Sequence, residues 1–312
     1  MAAGGKQHII MISLYAFMGA LEQGTAFGLM VLGVYLTFRV LDFPDLTVDG
    51  SLPLGAAVSA VAISNGYHPA LGMMMAVGAG FLAGAVTGVL NTKFKILHLL
   101  ASILTMISLY SINIRIMGRP NITLLGEDTL IDQFIELTGL APHYSTPLLF
   151  AFISSAALLV LIWFLKTSFG LAMLATGDNP KMITSLGVNR DMMIIFGVGL
   201  SNGMVALSGA LVAQNQGAAD VNMGIGTIIA GLASVIIGET LFGKGNVTRA
   251  MIAALLGSIV YRIAIALALG VRLGEFAFTP SDLNLVTAAL VVVALISPQI
   301  KAKLISRRRA NA

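Results

Sequence analysis

The chain has 312 residues, 57% of them hydrophobic and only 10% charged, with a formal net charge of +4, 34 glycines and no cysteine. No soluble interior holds that share of apolar surface, so the composition indicates a polytopic membrane protein. Absent cysteine excludes disulfides, thiolate metal sites and cysteine nucleophiles. The positive charge is no nucleic-acid signal, because its clearest cluster is the tail Lys301, Lys303, Arg307, Arg308 and Arg309, which reads as a cytoplasmic anchor.

In chain order, Met1–Gln7 is small and polar and no clear cleavage site follows, so no removable signal peptide is expected. His8–Ala20 is apolar but, at about 20 Å of helix, short for a crossing. It reads as an interfacial helix leading into the first span, with a further crossing as the alternative. Hydrophobic runs follow at 22–41, 51–66, 68–92, 97–117, 147–165, 191–213, 226–242, 249–270 and 282–298. The expected fold is all-α, with about nine (eight to ten) transmembrane segments, broken helices and an inverted internal repeat. One membrane domain covers 1–312: a first half at 22–165, a polar island at 174–190, a second half at 191–298 and a basic tail at 299–312.

Orientation follows from Lys and Arg in short loops. Lys93 and Lys95 share a loop, Lys166, Lys181 and Arg190 another, and Lys244 and Arg249 a third. Alternating spans put these on the side of the tail, the cytoplasm. The opposite side receives 118–146, with Glu127, Asp128, Asp132 and Glu136, and the link at 271–282 around Arg272, Glu275 and Asp282.

Two strings break the hydrophobic pattern alike, DLTVDGSLPLGAAV at Asp45–Val58 and DVNMGIGTIIAGLAS at Asp220–Ser234. Gly50–Ser51 matches Gly226–Thr227, and Gly55 matches Gly231. The segments that follow run in opposite directions, the pattern of an inverted repeat whose irregular backbone lines a cavity. Ser51 and Thr227, or Asp49 beside the first, are candidate caps for the helix starts. Gly78, Gly80, Gly84 and Gly88, and later Gly197, Gly199, Gly203 and Gly209, have the small-residue spacing of close helix packing.

Polar side chains at membrane depth face protein or water. Asp45, Thr47, Asp49, Ser51, Asn113, Asn202, Gln214, Asn215, Asn222 and Thr227 are therefore candidates for a solute pathway, with hydrogen bonding between helices as the plainer alternative. Glu239 reads as a partly solvated pair with Lys244, and Glu22 as a bond donor or acceptor at the outer interface. The four histidines lack metal-ligand spacing, and no metal site or catalytic residue is expected. No GxxxxGK[ST] string is present, so ATP and Mg would sit on a partner chain and this chain binds no cofactor.

The island Leu174–Arg190 (LATGDNPKMITSLGVNR) is more structured than a loop needs to be. Gly177, Asp178, Asn179 and Pro180 form a turn and helix-start signal, Lys181–Leu186 a short helix, and Gly187 its stop. It reads as a cytoplasmic docking surface, with Gly177, Asp178, Asn179, Pro180, Lys181, Met182, Ile183, Leu186 and Gly187 as its residues.

This island resembles the coupling-helix motif of permease subunits from bacterial ATP-binding-cassette importers of the branched-chain amino acid and ribose class, A-x-G-x-N-x-x-A-A-x-x-x-G-I. Ala175, Gly177, Asn179 and Gly187 match, Val188 takes the last place, and the paired alanines are absent. Leu207–Ala213 and Gly224–Phe242 look like the family's following block. Asp45–Ser51 is similar to a D-L-S-V-G-S string of the sugar branch, in a form closer to a less characterised branch paired with amino-acid-type binding proteins. The resemblance covers about Glu22 to Ala294. It implies a second permease copy or paralogue, two cytoplasmic ATPase subunits and a periplasmic or lipid-anchored binding protein. It also implies residence in the bacterial inner membrane, an amino acid as solute with a sugar or nucleoside next, and no enzymatic role for this chain. A stand-alone ion-coupled transporter is the rival from another class.

Overall fold

The computed structural model describes residues 14–243 and 245–270, and beyond them 272–273, 276–277, 285, 287–289, 291–292 and 296. His8–Ser13, Lys244, Glu275, Asp282, most of the run 282–298 and the basic tail lie outside the described residues.

Helix α1 (Leu14–Tyr35) continues without a break into a π-helical turn, Leu36–Val40. The expected division between an interfacial helix and the first span is therefore absent from Leu14 onward. The glycines that could have broken the rod serve packing instead. A Cβ on Gly24 would lie 2.7 Å from the Ile259 backbone, and one on Gly28 would lie 2.3 Å from the Leu255 side chain.

After α1 come α2 (Val48–Ser64), α3 (Pro69–Thr92), α4 (His98–Met117), strand β1 (Asn121–Thr123), α5 (Leu130–Thr138) and α6 (Pro142–Leu165). Then follow α7 (Ser168–Asp178), α8 (Pro180–Ser185), α9 (Arg190–Gln216), strand β2 (Ala218–Asp220), α10 (Thr227–Phe242) and α11 (Val247–Gly270). A short pair, β3 (Arg272–Leu273) and β4 (Phe276–Ala277), ends the described elements.

Among the described residues, six helices are long and apolar enough to cross a membrane: Tyr15–Val40, α3, α4, α6, α9 and Val247–Ala268. Helices α2 and α10 are apolar but only 17 and 16 residues long, about 25 Å against a hydrocarbon core of roughly 30 Å. Among the described residues the expected hydrophobic runs thus appear as six full spans and two shorter helices, and the run 282–298 lies mostly outside them. The start of α2 is buried at Thr47 and Val48, and that of α10 meets it through Asp49.

Helix α9 is the central post, with a buried stripe from Met193 to Gln214. Gly80, Gly84 and Gly88 of α3 press on it so closely that a Cβ would lie 2.4 Å from the Asn202 carbonyl oxygen, 2.3 Å from the Val198 carbonyl oxygen and 2.7 Å from the Ile195 backbone. Gly78 faces open space. Backbones approach this closely where lipid provides no hydrophobic drive for helices to associate.

Strands β1 and β2 pair antiparallel, Asn121 opposite Asp220, and tie the exit of α4 to the exit of α9. Helix α8 lies at the opposite end of α9. The bundle therefore has a β1–β2 end and an α8 end.

Candidate functional site

At the α8 end, the Asn179 side chain caps α8, its Oδ1 accepting the Met182 N–H at 3.1 Å, with Pro180 at the first helical position. Gly177 and Asp178 do not form the expected turn; they close α7, because the helix runs through to Asp178 before Asn179 redirects it. Gly187 has φ +80 and ends the short helix in the left-handed region that glycine enters freely. Ile183 is buried and pins α8 down, whereas Lys181, Met182, Thr184, Ser185 and Leu186 are exposed. Met182 and Leu186 leave 47% and 69% of their surface open, an unpartnered apolar edge on a polar helix.

Gly177 rests on the end of the first span, where a Cβ would fall 1.9 Å from the Val40 carbonyl oxygen. Next to it, the Leu41 and Met173 side chains both close on Gly197, where a Cβ would lie 2.5 Å and 2.7 Å from them. The island is thus seated on the point where α1 ends. From there Leu41–Thr47, with Asp42 at φ +50, carries the chain back into the centre of the bundle.

Asp45 is fully buried at that centre. One carboxylate oxygen accepts the Thr47 N–H at 2.9 Å, the other Asn202 Nδ2 at 2.7 Å. Asn202 Oδ1 accepts the Ser51 hydroxyl at 2.7 Å, and its Nδ2 also donates to the Val198 carbonyl at 2.9 Å. Thr47 and Thr87 hydroxyls meet at 2.8 Å, and Asn113 Nδ2 donates to the Gly50 carbonyl at 3.2 Å. Four of these six bonds join two helices, or a helix and the returning segment, so burial is offset by hydrogen bonding except at Asn113 Oδ1, which has no partner among the described residues.

Asp49, in the first turn of α2, reaches across to the start of α10. Its oxygens accept the Gly226 N–H at 3.0 Å, the Thr227 hydroxyl at 3.1 Å and the Ile228 N–H at 2.9 Å. These amides have no partner within their own helix, and a carboxylate suits the positive end of the helix dipole. Pro53 lacks an N–H, which frees the Asp49 carbonyl from its helical bond. Gly224 packs onto it, a Cβ there falling 2.0 Å from the carbonyl oxygen. The two strings paired in the sequence therefore meet at their helix starts. Helix α2 runs toward the β1–β2 end, where Ser59 bonds Gln214, and α10 toward the α8 end, where Glu239 meets Arg39.

The expected caps are redistributed by this meeting. Thr47, the cap position of α2, makes no side-chain cap bond, Ser51 turns to Asn202, and Asp49 serves the other helix. Gln214 accepts the Leu130 N–H at 3.0 Å and donates to Ser59 at 3.2 Å. Asn215 donates to Glu22. Asn222 is exposed, with its N–H on Asp220 at 2.7 Å. Glu239 pairs with Arg39 at 2.5 Å; Lys244, its expected partner, lies outside the described residues. Of the ten pathway candidates, Asp45, Thr47, Ser51 and Asn202 form one network. Asn113 joins it through Gly50, Asp49 and Thr227 sit beside it, and the other three lie toward the β1–β2 end.

One feature escaped the sequence reading. A cavity of about 560 Å³ lies between α1, α10 and α11, lined by Gln23, Phe27, Gln216, Thr227, Tyr261 and Arg262 among others. The Arg262 guanidinium stands 3.9 Å from the centre of the Phe27 ring, and its Nη1 donates to Gln23 Oε1 at 3.3 Å. Of the ten candidates, Thr227 lines this cavity. The signal was present: an arginine within an otherwise apolar span marks a functional position by default.

A family described as branched-chain amino acid transport system / permease component matches residues 16–296. The chain is 41% identical over 292 residues to the tyrosine transport system permease protein of Clostridioides difficile (strain R20291), covering 94% of this chain and 93% of that one. It is 28% identical over 203 residues to the autoinducer 2 import system permease protein LsrC of Yersinia pestis (strain Pestoides F), covering 63% of this chain and 54% of that one. PsaBC from Streptococcus pneumoniae in complex with Fab shares the fold, with a TM-score of 0.51 and 16% identity over 91% of both chains.

Proposed function

We propose, because this chain belongs to the branched-chain amino acid transport system permease family, that it is the membrane-spanning subunit of an ATP-binding-cassette importer for an amino acid, with tyrosine the first solute to test. The observation that carries the reading is near-complete alignment, at 41% identity, with a tyrosine transport system permease protein. The chain is a transport subunit, and its ATP-hydrolysing partners supply the nucleotide chemistry.

In the assembly we propose, this permease pairs with a second copy or a paralogue in the bacterial inner membrane. Two ATPase subunits bind at the α8 end and a periplasmic or lipid-anchored binding protein at the β1–β2 end. The basic loops support that orientation, since Lys93, Lys95, Lys166, Lys181 and Arg190 all lie toward the α8 end. Helix α8 would seat its apolar edge, Met182 and Leu186, in a groove of the ATPase. Closure of the ATPases would press on Gly177 and hence on Val40 and Leu41. The segment Leu41–Thr47 would carry that displacement to Asp45 and Asp49, and so to the meeting point of α2 and α10. A push at one end would thus bias an element that solute meets in the middle, as coupling between sites requires.

Uptake of labelled tyrosine by cells carrying or lacking this gene tests the proposal. Loss of uptake on disruption, restored by the intact gene, is the expected result; unchanged uptake of tyrosine and of other amino acids would reject it. A sugar-like solute is the second reading, favoured by the similarity to an autoinducer 2 import permease. It ranks lower because that similarity is 28% and covers 54% of the relative.

A further inference from the structure

Arg262 lies about 22 Å along α11 from Val247, well inside the span. A charged group at that depth faces protein or a water-filled cavity and is kept there by its use. Among the described residues, the ion pairs are Arg39 with Glu239 and Lys93 with Asp191, so no carboxylate pairs with Arg262. Its guanidinium instead lies over the Phe27 ring, 3.9 Å from its centre, and donates to Gln23 at 3.3 Å, leaving further donors of a planar fork beside a cavity of about 560 Å³. That volume is in the range of small-molecule sites. A stacked, oriented guanidinium is the group that binds a carboxylate in two parallel hydrogen bonds. Thr227, on the same cavity wall, bonds Asp49, so the cavity adjoins the junction of the two shorter helices.

We propose, resting on the amino-acid reading of the chain, that this cavity is a waypoint for the solute in which Arg262 receives its carboxylate. Phe27 and Gln23 are positioning residues for the guanidinium. Apolar parts of the solute lie against Tyr261 and Ile265. Seating the solute there brings its carboxylate toward that of Asp49, which already caps the start of α10, and like charges at that junction repel. Occupancy is thus read at the Asp49 junction.

The chain contains no cysteine, so a thiol placed in the cavity by Ala230→Cys is the only one present. In membranes containing the full chain, its modification rate is compared for anionic sulfonatoethyl, cationic trimethylammonioethyl and neutral methyl methanethiosulfonates. With Arg262 present, the anion-to-cation rate ratio is expected to exceed that of the Arg262→Gln background by about tenfold, with Arg262→Lys close to the parent. An unchanged neutral rate shows that the cavity has kept its shape. Equal ratios with and without Arg262 overturn the proposal, as does a thiol that the neutral reagent cannot reach. In the complete importer, Arg262→Gln is expected to lower tyrosine uptake at least tenfold and Arg262→Lys to restore part of it. If the parent moves tyrosine and Arg262→Gln moves it equally, the waypoint is wrong. If the parent moves no amino acid, the functional reading fails, and the thiol ratio still decides whether the cavity receives anions.

Discussion

Asp49 holds the starts of both shorter helices together, and its removal has a calculable effect. In Asp49→Ala the Gly226 and Ile228 amides lose their acceptor, while the Thr227 hydroxyl keeps the Gly224 carbonyl at 2.9 Å. Two orphaned donors at a partly buried site, at about 1–2 kcal/mol each, put the local loss near 2–4 kcal/mol. Asp49→Asn retains an acceptor oxygen but loses the charge facing the helix dipole, so about 1–2 kcal/mol is expected. Hydrogen exchange read by mass spectrometry on peptides covering 224–232 measures this opening directly. Exchange there should accelerate roughly 30- to 1,000-fold in Asp49→Ala, with Asp49→Asn between it and the parent. Exchange unchanged in both variants would refute the idea that a carboxylate from α2 caps α10.

Other consequences follow from the same geometry. Gly84→Ala drives a Cβ to 2.3 Å from the Val198 carbonyl oxygen and should cost about 1–3 kcal/mol, whereas Gly78→Ala meets nothing within 4 Å and should be neutral or mildly stabilising; thermal melting in detergent separates them. Asn202→Ala leaves the Asp45 carboxylate and the Ser51 hydroxyl each short of a partner and should lower stability by about 2–4 kcal/mol in the same assay, far more than an exposed Asn222→Ala. The double variant Met182→Ser, Leu186→Ser removes largely exposed apolar surface, so melting should stay within about 1 kcal/mol of the parent while ATP-driven uptake falls at least tenfold. Normal uptake in that variant would remove α8 from the coupling path.

Local signals carried much of the architecture. Long apolar runs located the six described full spans, and Asn179, Pro180 and Gly187 bounded α8 to within a residue, because capping chemistry is written in adjacent positions. The pairing of Gly50–Ser51 with Gly226–Thr227 pointed to two strings that the fold brings into contact. What sequence could not supply was partnership across the chain. Asp49 reads as a cap for its own helix and serves one 179 residues away, and Glu239 finds Arg39 200 residues earlier. The first span is longer than the run 22–41 because α1 already begins at Leu14, within the stretch His8–Ala20 that is short for a crossing by itself. In the fold Gly24 is a contact with Ile259, and Glu22 is satisfied by Asn215. Arg262 stands in an otherwise strongly apolar span, and the cavity that explains it needs three helices to assemble.

Reconstitution of the purified chain in liposomes, with and without its ATPase and binding protein, tests the central claim most directly. The account predicts tyrosine accumulation only when all components and ATP are present, and none from this chain alone under an ion gradient. Gradient-driven uptake by the chain alone would contradict it.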